Sequence, residues 1–240
     1  MTTSPARDPQ PTLVVAADVE GLARLAADRV RVLAGDALAA RGRFRIALAG
    51  GSTPRALYAH LAAARDLDWA RIDVFFGDER SVGPDDPQSN FRMARETLLQ
   101  PAAVPPENVH RMRGEDPDLE SAAFDYETAL GGPSPPPFDL VLLGMGGDGH
   151  TASLFPGSAA LEESHHWVVT DADDLHPHPR LTVTLPMLAS TRLVVFTVSG
   201  ADKADAFARV RAGDDLPATR VRAERVIWLV DPAAAGDTRS

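Results

Sequence analysis

The sequence contains no cysteine, and this absence excludes several kinds of chemistry at once. Without thiols the chain cannot build a disulfide framework, use a thiolate nucleophile or bind zinc through sulfur. The sequence also lacks any uninterrupted run of about eighteen apolar residues, the length that a membrane-spanning helix requires. We therefore expect a protein that neither crosses nor enters a membrane, and the absence of cysteine is compatible with a cytoplasmic location.

Positive charge is scarce as well. The chain has 24 Lys and Arg residues against 34 Asp and Glu residues, a formal net charge of -10, and Lys203 is its only lysine. A molecule of this sign repels polyanions, and no block of basic residues offers a footprint for a phosphate backbone. We therefore expect no nucleic-acid partner. Nothing in the sequence indicates an obligate assembly, and we expect a monomer or a weak homo-oligomer.

What the sequence does contain is a regular alternation of two apolar patterns. Short runs rich in β-branched and aromatic residues predict strands. The strands are predicted at 13–16, 44–49, 72–76, 140–143, 193–198 and 226–230. Amphipathic stretches between these runs predict helices. The helices are predicted at 18–40, with Asp18 as its cap, and at 54–64, 91–99 and 202–210.

This order indicates an α/β fold with a mostly parallel, Rossmann-like sheet covered by helices on both faces. The segment 181–185 alternates in polarity and ends at Pro186, which predicts a smaller mixed or antiparallel element in the second half. The length of 240 residues fits one domain. We expect a polar tail over 1–11, a single domain over 12–232 and a C-terminal tail over 233–240. The stiff segment 131–137, GGPSPPP, is interpreted as a surface connection within that domain.

Four predicted strands end in loops that combine glycine with polar side chains. These loops are Gly50–Thr53, Gly77–Arg80, Gly144–His150 and Ser199–Lys203. Ligands of open parallel sheets bind beyond the carboxyl ends of the strands, where all four loops are expected. Four such loops at one edge predict a single binding site there.

The first loop is typical of an anion site. Gly50 and Gly51 allow a ligand to approach the backbone, while Ser52, Thr53 and the free N–H groups of the following helix can bind a phosphate. The alternative is an ordinary glycine turn with a capped helix. The spacing of a nucleoside triphosphate loop is absent.

The second loop, GDER, places Asp78 and Arg80 on one turn. A planar guanidinium at a strand end can stabilise a phosphate or a developing oxyanion, and a solvated loop with local ion pairing is the alternative. Two further cations are candidates for holding a phosphate. They are Arg180, just before an expected strand, and Lys203, at an expected helix start, although a solvated lysine fits that position equally.

The third loop, GMGGDGH, matches the spacing of a dinucleotide-binding loop with Gly144, Gly146 and Gly149. Pro156 interrupts the following segment too early for the long helix of such a site, so we expect no nucleotide. The glycines instead present Asp148 and His150 on a tight turn. Histidine is the side chain best suited to exchange a proton near neutral pH, whereas a structural histidine is the alternative.

The remaining histidines do not predict a metal site. His165, His166, His176 and His178 lack the helical spacing of zinc ligands and fit an exposed loop, although their role stays open. We therefore expect neither a metal nor another cofactor.

Five segments carry a family resemblance. They are GGSTPRALY, FFGDERSVGPDDPQSNF, DLVLLGMGGDGHTASLFPGS, RLTVTLP and VSGADKADAF. With these in order, residues 13–230 resemble the 6-phosphogluconolactonases. The resemblance implies hydrolysis of 6-phosphogluconolactone in the oxidative pentose phosphate pathway. It also implies that His150 is the base, that Ser52, Arg180 and Lys203 help to hold the phosphate, and that Arg80 lies near the reacting ester.

The same resemblance leaves open whether Asp78 and Asp148 are catalytic, orient His150 or hold the loops. It also extends to glucosamine-6-phosphate deaminases, which share the fold. Deaminases carry an acid five residues after the turn histidine, in a pattern such as GHIAFNEPGS, whereas this chain has Phe155 there. The lactonase is therefore the preferred hypothesis. A deaminase-like isomerase and a non-catalytic sugar-phosphate sensor are the alternatives.

Overall fold

The computed structural model describes residues 11–132, 136–171 and 177–236. The predictions that concern residues 1–10, 133–135 and 237–240, together with that for His176, lie outside the described residues. No helix in these three ranges combines the length and the apolar character needed to cross a bilayer.

Nine strands are found in the described residues, and they form two sheets. The strands are β1 (Thr12–Val15), β2 (Phe44–Leu48), β3 (Ile72–Phe76), β4 (Asp78–Arg80), β5 (Leu140–Leu143), β6 (Val168–Asp171), β7 (Arg180–Val183), β8 (Leu193–Val198) and β9 (Arg225–Val230). The large sheet has the order β1-β9-β8-β5-β2-β3, and all its pairs are parallel. The small sheet, β4-β7-β6, is antiparallel. The predicted parallel sheet and the smaller antiparallel element are both confirmed.

Seven α-helices accompany these strands in the described part of the chain. They are α1 (Val19–Arg41), α2 (Ser52–Ala63), α3 (Asn90–Ala94), α4 (Leu119–Leu130), α5 (Leu185–Ala189), α6 (Ala204–Ala212) and α7 (Pro217–Arg220). Successive residues of a central strand pack into two different hydrophobic cores, one on each face of the sheet. In β5, Leu140 and Leu142 pack with α1 and α2, while Val141 and Leu143 pack with α4 and α6. Because both faces of β5 are buried against helices, its sequence is a continuous apolar run.

The boundaries of α1 follow from local chemistry. Asp18 is the N-cap, and its carboxylate accepts a hydrogen bond of 2.7 Å from the N–H of Gly21. Gly42 ends the helix with a φ of 75°, a left-handed conformation that favours glycine. The helix predicted at 18–40 is therefore confirmed, with each end displaced by a single residue.

Other elements differ from the sequence-based expectation. The helix predicted at 91–99 is α3 followed by a π-helical turn at Arg95–Leu99, and the one predicted at 202–210 begins with a 3-10 turn at Ala201–Lys203. The strand predicted at 181–185 is wrong beyond Val183, because Thr184 caps α5. Helix α4 lies where the sequence analysis predicts no element.

The packed chain extends beyond residue 232, where the sequence analysis ends the domain. Ala234 is fully buried, and its N–H donates to the Asp231 carboxylate at 2.7 Å. The same carboxylate accepts the N–H of Gly200 at 3.1 Å. Asp231 thus joins the segment after β9 to the loop after β8.

The cap of α1 gives a prediction about stability. Asp18→Ala removes the hydrogen bond to Gly21, and we expect the free energy of unfolding to fall by about 1 kcal/mol. Asp36→Ala is the matched control, since Asp36 is an exposed residue within α1. It should change stability by less than about 0.5 kcal/mol. Urea denaturation measures both, and equal losses would contradict the assigned cap.

Candidate active site

One cavity is lined by the loops that follow four adjacent strands of the large sheet, β8, β5, β2 and β3. Each strand is followed by one of the polar segments described above, and parallel pairing brings all four to the same edge. The cavity has a volume of about 250 Å³. Eight candidate residues line it, namely Gly50, Gly51, Ser52, Thr53, Asp78, Arg80, His150 and Lys203. The other two candidates, Asp148 and Arg180, lie outside the lining.

A candidate anion site lies where the β2 loop meets the β8 loop. Gly51 has a φ of 104°, a conformation that favours glycine, and α2 begins at the next residue without a side-chain cap among the described residues. The N–H groups of its first turn are therefore open to a ligand. The hydroxyls of Thr53 and Ser199 are 2.7 Å apart and join the two loops.

Lys203 brings a full positive charge to the same place. Lys203 lines the cavity, and its ammonium lies 2.9 Å from the carboxylate of Asp202, whose own side chain is largely exposed. The hydrogen bond from Lys203 holds the pKa of Asp202 below its ordinary value. Lys203 is 27% exposed and Asp202 is 72% exposed, so water partly screens this ion pair.

The GDER segment is not a solvated loop, because Asp78–Arg80 form strand β4 and pair with β7. Glu79 is almost completely buried and accepts the backbone N–H groups of Arg80, Asn90 and Phe91, each at 2.8 Å. It also accepts the Ser89 hydroxyl at 3.0 Å. Burial raises the pKa of Glu79, and these hydrogen bonds oppose the rise. Glu79 therefore anchors the start of α3.

Asp78 faces the cavity and is held from two sides. Its Oδ1 accepts the Asn90 amide at 3.0 Å, and its Oδ2 accepts the Ser153 hydroxyl at 2.7 Å. Asn90 also lines the cavity. Neither Asn90 nor Ser153 is among the residues predicted from the sequence. Their only signal was that each is a polar residue inside a quoted motif.

Arg80 reaches the cavity from β4. Its Nη1 donates to the backbone carbonyl of Gln88, while its Nε is buried and makes no hydrogen bond within the described residues. The backbone of Arg80 packs tightly against Gly114, where a Cβ would lie 2.0 Å from the Arg80 carbonyl oxygen. Arg180 is the register partner of Arg80 across the antiparallel pair. Arg180 therefore lies beside the cavity without lining it.

His150 and Asp148 form a hydrogen-bonded pair on the glycine turn. Nδ1 of His150 lies 2.6 Å from Oδ1 of Asp148, which also accepts the His150 backbone N–H at 3.1 Å. Burial acts to raise the pKa of Asp148, but the backbone N–H and the imidazole of His150 outweigh it and hold the pKa below its ordinary value. An ionised Asp148 favours the proton on Nδ1, which leaves the lone pair of a neutral ring on Nε2.

Two neighbours keep this pair in place. A Cβ on Gly146 would lie 2.2 Å from Nδ1 of His150 and 2.5 Å from Oδ1 of Asp148, so only glycine fits beneath the pair. The ring of Phe155 packs against the imidazole with a centroid distance of 4.7 Å and is nearly buried. The position that distinguishes the two candidate enzymes thus touches the central histidine directly.

Among the described histidines, His150 alone lines this cavity. The backbone N–H groups of His165 and His166 donate to Glu163, and Nε2 of His178 lies 3.1 Å from the side chain of Gln88. Over 11–132, 136–171 and 177–236, no cluster of three or more His, Asp or Glu residues is arranged to bind a metal.

The comparison with known proteins identifies the family. The model of the family described as glucosamine-6-phosphate isomerases/6-phosphogluconolactonase matches residues 17–228. The chain belongs to this family. Among curated members, a 6-phosphogluconolactonase of Nostoc sp. is 39% identical over 94% of this chain and 98% of its own length. One of Mycobacterium tuberculosis is 40% identical, covering 91% of this chain and 94% of its own length. The predicted resemblance is therefore confirmed.

Solved structures of the family share the fold. A 6-phosphogluconolactonase from Thermotoga maritima has a TM-score of 0.84 and 32% identity, covering 92% of this chain and 100% of that one. A monomeric glucosamine-6-phosphate deaminase has a TM-score of 0.79 at 24% identity, covering 94% and 99%. The second likeness concerns the fold alone. Since both enzymes use this glucosamine-6-phosphate isomerase/6-phosphogluconolactonase fold, side chains must distinguish them.

The buried Glu79 carboxylate gives a prediction about stability. Glu79→Ala leaves three backbone N–H groups without their acceptor, so we expect the free energy of unfolding to fall by about 3 kcal/mol or more. Glu96→Ala is the control, because Glu96 makes only an exposed ion pair with Arg92. That change should cost less than about 1 kcal/mol. Similar urea midpoints for the two variants would show that Glu79 does not anchor α3.

Proposed function

We propose that this chain hydrolyses 6-phosphogluconolactone to 6-phosphogluconate, a step of the oxidative pentose phosphate pathway, with His150 as the general base. The curated relatives that cover nearly the whole chain carry this activity in their names. The observation that carries the proposal is geometric. His150, which is paired with Asp148, lines the same cavity as the start of α2 and Lys203, so one small phosphorylated molecule can contact both ends.

The phosphate is held at the β2 and β8 side of the cavity. The open N–H groups at the start of α2, the Ser52 hydroxyl and the Lys203 side chain border this place, whereas Arg180 lies on β7 opposite Arg80, outside the cavity lining. Binding energy from the non-reacting end of the substrate then orients the lactone carbonyl near the imidazole.

The chemical step requires only water and protein groups. A lactone is an activated ester, and neutral His150 takes a proton through Nε2 from the water that attacks C1. Asp148 holds the ring and stabilises the imidazolium that forms. Arg80 or N–H groups of the glycine turn stabilise the tetrahedral oxyanion. The imidazolium then donates its proton to the ring oxygen as the C1–O bond breaks, which returns His150 to its neutral form.

The side chain at position 155 favours this reaction over deamination. Phe155 packs on the imidazole and cannot relay a proton, whereas a ring-opening deaminase requires an acid there. Incubation with glucosamine 6-phosphate should therefore release no ammonia. A sensor without turnover would fail the lactone assay itself. A cytoplasmic location and a monomeric or weakly associated state remain predictions.

The role of His150 gives the first prediction about activity. His150→Ala should lower kcat by about 10²- to 10⁴-fold, the loss expected for a positioned general base. The assay follows freshly generated 6-phosphogluconolactone, with the spontaneous rate subtracted. His165→Ala is the control, because His165 lies away from the cavity, and it should retain full activity. Wild-type kcat in the His150 variant would exclude the base role.

The anion site gives the second prediction about activity. Lys203→Ala removes a charge that contacts the phosphate, so KM should rise by about tenfold or more, with a smaller fall in kcat if anchoring also orients the ester. Arg211→Ala, an exposed change on α6, should leave KM unaltered. A phosphate-free lactone hydrolysed as well as the phosphorylated one would contradict phosphate anchoring.

A further inference from the structure

The Asp78 carboxylate connects the two halves of the active site. Its Oδ2 accepts the hydroxyl of Ser153, which lies three residues after His150 in the next turn, Thr151–Leu154, and is 1% exposed. The backbone N–H of Ser153 donates to the Thr182 hydroxyl at 3.1 Å, and Thr182 is the register partner of Asp78. The histidine turn is thus tied to β4 and β7 at a fixed distance.

On its other side Asp78 is tied to the anion site. The Asn90 amide donates both to Oδ1 of Asp78 at 3.0 Å and to its backbone carbonyl at 2.9 Å. The amide group of Asn90 packs on Gly50, where a Cβ would lie 1.9 Å from the amide oxygen. Gly50 must therefore be glycine because Asn90 occupies the space that a side chain would fill.

These contacts leave Asp78 poorly placed to act as a free base. Each carboxylate oxygen already accepts one hydrogen bond, and the side chain is only 8% exposed. A carboxylate has about four acceptor positions, so roughly two remain for hydroxyl groups of a bound sugar. An anchored acceptor in the cavity wall can orient a substrate without exchanging a proton.

We propose that Ser153 and Asn90 are positioning residues that act through Asp78 to align the lactone carbonyl with His150. The chain of contacts runs from the histidine turn through Ser153, Asp78 and Asn90 to Gly50, so it links the proton-transfer end of the site to the phosphate end. This inference rests on the proposed lactonase activity and assigns these two side chains a part in it.

A double-mutant cycle tests the proposal. Ser153→Ala and Asn90→Ala should each lower kcat by roughly 10- to 100-fold, the range that a hydrogen bond to a charged group allows, with KM changed by less than about threefold. In an Asp78→Ala background, adding Ser153→Ala should lower kcat by less than about twofold, because its partner is already gone. Fully multiplicative losses would overturn the proposal.

Two matched controls separate positioning from general destabilisation. Ser190→Ala removes a hydroxyl that donates to the Met187 carbonyl at 2.7 Å, and Asn108→Ala removes an amide that donates to the Trp69 carbonyl at 2.9 Å. Both lie outside the cavity lining, so they should lower the melting temperature without changing kcat. Equal kcat losses in these controls would count against the proposal.

The rate of the wild-type protein distinguishes a failure of the positioning role from a failure of the proposed lactonase activity. Wild-type turnover with unchanged kcat in Ser153→Ala and Asn90→Ala would refute the positioning role while leaving the lactonase activity intact. Absence of wild-type turnover would refute the lactonase activity, and the positioning role with it.

Discussion

Parallel strand pairing is the constraint on which the rest of this protein depends. Strands β8, β5, β2 and β3 lie side by side in one direction, so their four loops emerge at one edge. Neighbouring strands are ~4.8 Å apart, and four of them therefore span about 14 Å. That span matches a small phosphorylated sugar. An imidazole on one loop and an anion site on others can contact the same molecule because the sheet sets their separation.

The chain has a formal charge of -10, yet positively charged groups line the candidate site. The start of α2, Lys203 and Arg80 supply positive potential inside the cavity, where short distances outweigh the screened charge of the distant surface. The only lysine of the chain lies at this place. The overall negative charge is unfavourable for a polyanionic partner, but it does not prevent a local site for a single phosphate.

Three carboxylates near the cavity have different tasks because their surroundings differ. Glu79 is buried, accepts hydrogen bonds from backbone N–H groups and anchors α3. Asp148 is half-exposed and accepts a hydrogen bond from the imidazole of His150. Asp78 faces the cavity with both oxygens engaged by side chains from other elements. In the sequence all three are simply acids in glycine-containing motifs. Their hydrogen-bond partners distinguish them, and for Asp78 those partners lie 12 and 75 residues away along the chain.

Local information was enough to predict much of this protein from its residues. The strands at 72–76, 140–143 and 193–198 are short, largely apolar runs that end before glycine-containing loops, and Asp18 marks the start of α1, so nearby residues determine these elements. Helix α4 also has a local signal, with Asp118 as its cap, although the analysis missed it. By contrast β4 is a polar segment that becomes a strand only because β7 pairs with it. The Ser153–Asp78–Asn90 contacts likewise exist only in the folded chain, since pairing across long separations, and no local preference, brings those side chains together.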